Sequence, residues 1–211
     1  KAVGSLPTRS KSSCHSVCFL INRKHNNMTL FSLIRSDYRK YKKYGANGFV
    51  IIFLTQGFWA QFQYRIAHFF HTKVTWQPFR ILVMLPMYFW QKGIEIMTGI
   101  SIPASAQIGH SFYIAHFGGI ILNSNTVIGN NCNISQGVTI GVSGLGEKRG
   151  VPVIGHNVYI GANAVIAGKI KVSDNSLVGA CSLVSSDVPE NNVVVGVPAV
   201  VVSDKSSKGY I

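Results

Sequence analysis

The fold class read from this sequence is mainly β: a solenoid of short strands, led in by a small helical region. Three observations carry that reading. From Gly99 onward an aliphatic residue returns every six positions, through fourteen sites from Ile102 to Val184 with two shifts of phase. Small or β-branched side chains mostly stand four positions after it, as at Ala106, Thr126, Cys132, Val158 and Ser176. Asn, Asp, Ser, His and Gly fill the places between, as in Ile128-Gly-Asn-Asn. A period of six matches neither a helix nor a simple alternating strand. It suits a short strand plus a tight corner, three of which close a triangular coil. Gly, Asn and Asp turn such corners at low cost because they tolerate left-handed backbone. Inward aliphatic residues then stack coil on coil into one continuous core.

The segments follow in order. Residues 1–27 are basic and are expected to be a disordered or extraneous leader, with the natural beginning at "MTLFSLIRSD" from Met28. The chain carries a net charge of +13, and residues 1–44 alone hold ten Lys/Arg against Asp37. No nucleic-acid motif accompanies that charge, so a solvated arm or contact with an anionic membrane surface is expected, and nucleic acid is not. Cys14 and Cys18 have no second Cys or His pair at zinc-ligand spacing, and a reducing cytosol without structural disulfides fits the four cysteines.

Residues 28–98 form the helical region. Leu30, Leu33, Ile34, Tyr38 and Tyr41 lie at helical spacing over 29–44. Two aromatic-rich segments follow, 49–70 and 79–97. Gln56, Gln61, Gln63 and Arg65 interrupt the first, Pro86 and Lys92 the second, so neither offers the roughly 20 apolar residues of a membrane span. They are expected to pack on each other or on another subunit, with a surface anchor on the inner face of the membrane as the alternative. The coils occupy 99–188, and 189–211 close them. The phase shifts fall at Ile120–Leu122, directly after "YIAHFGGI", and in the Gly-rich insertion "GVSGLGEKRGVP". That insertion lacks both G-x-G-x-x-G and a P-loop ending.

The stretches "GISIPASAQIG", "YIAHFGGIIL", "VIGNNCNISQGVTIG", "GEKRGVPVIGHNVYIGANAVIAGKIKV" and "DVPENNVVVGVPAVVV" resemble the hexapeptide-repeat acyltransferases, specifically the serine O-acetyltransferase group. The lead-in from Met28 looks like that of saccharide-modifying relatives. The resemblance implies a left-handed parallel β-helix, a homotrimer that the N-terminal helices join into a dimer of trimers, and acetyl-CoA bound between neighbouring prisms in the cytoplasm. It places His116 on the catalytic histidine, the general base that takes the proton of the attacking hydroxyl. Ser101 occupies the place of the Asp that orients that histidine. Gly118 and Gly119 give a small hydroxyl-bearing acceptor room beside the imidazole. Gly141, Gly161 and Ala162 match backbone contacts to the pantetheine arm. Lys148, Lys169 and Lys171 are phosphate-contact candidates, and Arg149 a candidate for cofactor or acceptor. No metal is expected.

Three departures from the group bear on the acceptor. Ser101 replaces Asp, Ala115 replaces the acid before the catalytic His, and Arg149-Gly150-Val151-Pro152 replaces Arg-His-Pro. They favour a saccharide hydroxyl of a surface polysaccharide as acceptor, with serine as the alternative. Two rival classes follow from the same residues. A zinc hydratase on this fold needs three converging histidines, but His110 and His116 are six residues apart and fall on successive faces. A non-catalytic scaffold is the other.

Overall fold

The computed structural model describes residues 28–211. The expectations for residues 1–27, including Cys14 and Cys18, lie outside the described residues. Helix α1 (Leu30–Lys43) is opened by Thr29, whose Oγ1 accepts the Ser32 N–H at 3.2 Å. Helix α2 (Gly48–Leu54) starts in the same way on Asn47, which accepts the Val50 N–H. The apolar segment expected over 49–70 is broken at Thr55, whose hydroxyl turns back to the Val50 carbonyl, and α3 (Gln56–Lys73) follows. Helix α4 (Gln77–Thr98) runs through Pro86 and ends on Gly99 in left-handed conformation. Pro86 deprives the Leu82 carbonyl of its helical donor, and both residues lie on an exposed part of the helix, where water can replace that donor.

The rest is a parallel β-helix. Its first sheet stacks β1 (Ile100–Ser101), β4 (Ile120–Leu122), β7 (Thr139–Gly141), β10 (Val165–Ala167) and β13 (Leu183–Val184). The second stacks β2 (Gln107–Ile108), β5 (Val127–Ile128), β8 (Val153–Ile154) and β11 (Lys171–Val172). The third stacks β3 (Tyr113–Ile114), β6 (Asn133–Ile134), β9 (Tyr159–Ile160), β12 (Leu177–Val178) and β14 (Val193–Gly196), and β15 (Ala199–Ser203) closes it antiparallel. Ile108, Ile128, Ile154 and Val172 form one fully buried column, and the other two sheets contribute similar ones.

The register explains the first phase shift. Ile100 pairs with Ile120, and Leu122 with Ile140. Strand β4 therefore sends both Ile120 and Leu122 inward on either side of an exposed Ile121, and the lattice continues. The second shift is the excursion between β7 and β8, closed at its neck by the Ser143–Gly150 bridge.

One corner column is an asparagine ladder. Asn131, Asn157, Asn175 and Asn191 all have positive φ, and each side-chain amide donates to the next Oδ1, at 2.8, 2.9 and 3.1 Å. Lys40 of α1 caps the open end by donating to Asn131 Oδ1. Cys181 turns a corner at φ 56°, and Cys132 is a buried packing residue whose thiol burial pushes up to about 12.

The helices cap the first coil, whose β2 and β3 would otherwise present unpaired edges. Tyr64 Oη donates to the Ala106 carbonyl at 2.7 Å and accepts the Ile108 N–H at 3.1 Å. Gln61 Nε2 donates to the Phe112 carbonyl, and Tyr41 Oη both donates to and accepts from Ile114. Arg65 donates to the carbonyls of Ile108 and Gly109, both at 2.6 Å, and to both Asp37 oxygens. Asp37 in turn accepts the Phe112 N–H. Segments 49–70 and 79–97 pack on each other, as expected: Gln63 Nε2 of α3 donates to the Met87 carbonyl of α4, and Phe62 meets Trp90. Helices α1 and α3 pack in addition on the β-helix, which was not expected.

Candidate active site

His110, His116 and His156 share the third position of their six-residue repeat, and the structure separates them. His156 Nδ1 accepts the Asn130 N–H at 2.9 Å, so its ring ties two coils together. His110 Nδ1 lies 3.1 Å from Ser111 Oγ. His116 is exposed, and no hydrogen bond to its ring is found among the described residues. It stands on the corner between the third and first sheets, and Gly118 and Gly119 turn that corner at φ 99° and 66°. A Cβ on Gly118 would meet no atom within 4 Å, which leaves open space next to the imidazole.

The coil register stacks further residues over this corner. Ala115 N–H donates to the Ile134 carbonyl, and Gly137 N–H to the Gly118 carbonyl, which sets Gln136 in the coil above His116. Asn163 N–H donates to the Gln136 carbonyl, which sets Ala162 and Gly161 one coil higher. Gly161 is buried against the next coil: a Cβ there would lie 2.6 Å from the Ala180 nitrogen.

A second cluster lies along the other edge of the first sheet. Gly141 ends β7 in register with Ala167, and Gly168 N–H donates to its carbonyl. The insertion folds over this edge, with Lys148 and Arg149 exposed on it. Lys169 Nζ donates to the Glu147 carbonyl at 3.2 Å, and its side chain packs on Gly150. Gly141, Lys148, Arg149 and Lys169 are thus brought together. Lys171 is not among them: it sits on the second sheet, its N–H held by Asp187. The three-residue strand β7 separates the two clusters, a span of roughly 10 Å at ~3.3 Å per residue.

Ser101 makes a contact that sequence reasoning missed. Its hydroxyl donates to Glu95 Oε1 at 2.8 Å, and no hydrogen bond joins it to His116. Glu95 also accepts from Gln91 Nε2 and from Lys92 Nζ. Burial pushes the Glu95 carboxyl up, but the hydrogen bonds from Lys92, Ser101 and Gln91 outweigh it and hold it below its ordinary value. The signal for Glu95 was present, since it is the only acid between Asp37 and Glu147. Gln136 was also missed, and its Oε1 is buried without a partner among the described residues. Phe117 and Ile121 stand exposed beside the His116 corner, and Leu145 is exposed on the insertion. Among the described residues no group of three His, Cys, Asp or Glu side chains could hold a metal ion.

The architecture is thus a β-helix of six-residue steps, with an exposed histidine at a glycine corner and a loop leaving the lattice at the end of β7. Residues 152–186 match the family model for bacterial transferase hexapeptide repeats. A serine acetyltransferase of Synechococcus elongatus is 30% identical over 176 residues, covering 82% of this chain and 69% of the relative. A serine acetyltransferase solved in complex with CoA superposes with a TM-score of 0.70 at 27% identity, over 90% of this chain and 76% of that one. That of Neisseria gonorrhoeae in complex with serine gives 0.70 at 31% identity, over 89% and 75%. The chain belongs to the serine acetyltransferase family of hexapeptide-repeat transferases, and it is an acyltransferase.

Proposed function

We propose that this protein transfers the acetyl group of acetyl-CoA to the hydroxyl of serine, with His116 as general base. The observation that carries the reading is the exposed, unengaged ring of His116 at its glycine corner, in a family whose solved members hold CoA and serine. The imidazole takes the hydroxyl proton as the oxygen attacks the thioester carbonyl. Backbone N–H groups near Gly118 and Gly119 supply donors for the developing oxyanion. The carbon–sulfur bond then breaks, and the imidazolium returns the proton to the leaving CoA sulfur. The pantetheine arm runs along the first sheet past Ala162 toward Gly141, and the cations of the insertion and Lys169 meet the phosphates. The space around Gly141 supports this, since a Cβ there would meet only Thr139 Cγ2, at 3.9 Å. A homotrimer completes the cleft, a reading supported by the exposed Phe117, Ile121 and Leu145 around it.

The comparisons weigh toward serine, which the sequence reading placed second. A saccharide hydroxyl remains the second reading, favoured by Ala115 beside His116, where an ammonium-bearing acceptor would gain from a carboxylate.

Thiol release from acetyl-CoA, measured with serine, homoserine and common hexoses, tests both. Turnover with serine that disappears in His116→Ala supports the main reading. Turnover with a hexose alone transfers it to the second, and turnover unchanged in His116→Ala overturns the assignment of the base.

A further inference from the structure

The helical end of the molecule presents an apolar surface that the β-helix leaves uncovered. Of the 22 residues of α4, only Ile94 and Thr98 are buried, while Ile81, Leu82 and Phe89 are 67%, 70% and 65% exposed. This surface continues into a groove of about 550 Å³, lined by Phe31, Tyr38, Ile52, Trp59, Trp90 and Met97 among others. Helix α2, whose Ile52 lines the groove, also exposes Phe49, Phe53 and Leu54. A contiguous apolar face of this kind needs an occupant.

Charge says which. Residues 28–98 contain two acids, and both are engaged: Asp37 is buried against Arg65, and Glu95 is bonded to Lys92. Arg35 lines the groove, and Arg39, Lys42, Lys43 and Lys73 are exposed on α1 and α3. A second copy docking through the same face would set this positive rim against itself. An anionic surface would neutralise it. Trp76, Tyr88 and Trp90 add exposed aromatic rings with a polar edge, the residues that settle at the bilayer–water boundary. No described helix is long and apolar enough to cross a membrane, so the contact lies along the surface.

We propose that this helical face docks the protein on an anionic phospholipid bilayer. The side chains of α2, α4 and the groove enter the boundary between headgroups and acyl chains, and the basic rim meets the lipid phosphates. The proposal does not depend on which hydroxyl is acetylated.

Flotation of the full chain with phosphatidylcholine vesicles, with and without phosphatidylglycerol, tests it. The protein is expected to float with the anionic vesicles and to lose binding as salt rises. Leu82→Glu with Phe89→Glu should reduce vesicle affinity by about tenfold or more, and so should Arg39→Glu with Lys42→Glu. Neither pair should alter thermal unfolding or thiol release in solution. The charge pair removes no apolar contact, so it decides the matter if the apolar pair fails to fold. Absence of flotation with either vesicle overturns the proposal. A fall in oligomer mass for Leu82→Glu with Phe89→Glu, with no flotation of the wild type, assigns the face to a second copy instead.

Discussion

Ser101 Oγ donates to Glu95 Oε1 at 2.8 Å, so the hydroxyl standing in the place of an orienting carboxylate is itself held by a carboxylate from α4. Its proton is committed there and does not reach His116. Ser101→Ala is therefore expected to lower kcat by less than about tenfold, whereas His116→Ala should cost about a hundredfold or more. Steady-state thiol-release kinetics on the two variants check this. Equal losses would mean that Ser101 acts on the imidazole after all.

The Arg65–Asp37 pair holds α1, α3 and the first coil together, with both side chains 1% exposed. Burial pushes Arg65 down, but the Asp37 carboxylate outweighs it and keeps the guanidinium charged. Arg65→Met would leave Asp37 and the carbonyls of Ile108 and Gly109 without this donor. The expected loss is about 3–5 kcal/mol in urea unfolding, because a buried charge is left uncompensated. A loss below about 1 kcal/mol, within the range of an exposed ion pair, would contradict the clamp.

Lys40 predicts a pH dependence. Burial lowers its ammonium from 10.5 to about 8, and nearby Lys43 adds to the effect. Its folded value lies below its unfolded one, so in that interval the unfolded chain binds the extra proton. The native state thus carries a penalty that is full below about 8 and fades as the pH rises to 10.5. Unfolding free energies of the wild type and Lys40→Met, measured across this window, should show the wild type gaining stability relative to the variant as the pH rises. A pH-independent difference would show that the ammonium pays no burial cost.

Gly141 and Gly161 respond differently to an added side chain. At Gly141 a Cβ meets only Thr139 Cγ2 at 3.9 Å, while at Gly161 it meets the Ala180 nitrogen at 2.6 Å. Gly141→Val should leave thermal unfolding nearly unchanged and raise the KM for acetyl-CoA, because the branched side chain fills the proposed path of the arm. Gly161→Val should lower the unfolding temperature, because neighbouring backbones must part. An unchanged KM in Gly141→Val would move the cofactor path elsewhere.

The coils were legible because their rule is local. One aliphatic residue every six positions and a Gly or Asn corner describe Ile108, Ile128 and Ile154 as well in sequence as in space. His116 was legible through the residues around it, yet its distinction from His110 and His156 was not. All three share one repeat position, and only the neighbouring coil and Ser111 show which rings are engaged. The break at Thr55 and the passage of α4 through Pro86 were hidden as well: the first turns on one hydroxyl reaching the Val50 carbonyl, the second on the exposure of the Leu82 carbonyl to water.

By itself, the sequence determined the solenoid, its corners, the excursion after Gly141 and the uneven charge, all of which follow from spacing and composition. Only the tertiary structure decided that Asp37, Tyr41, Gln61, Tyr64 and Arg65 cap the first coil, and that Ser101 answers to Glu95. The physical reason is the same in both cases. Edge backbone groups and buried charges must find partners somewhere, and a periodic pattern contains no information about which distant side chain will supply them.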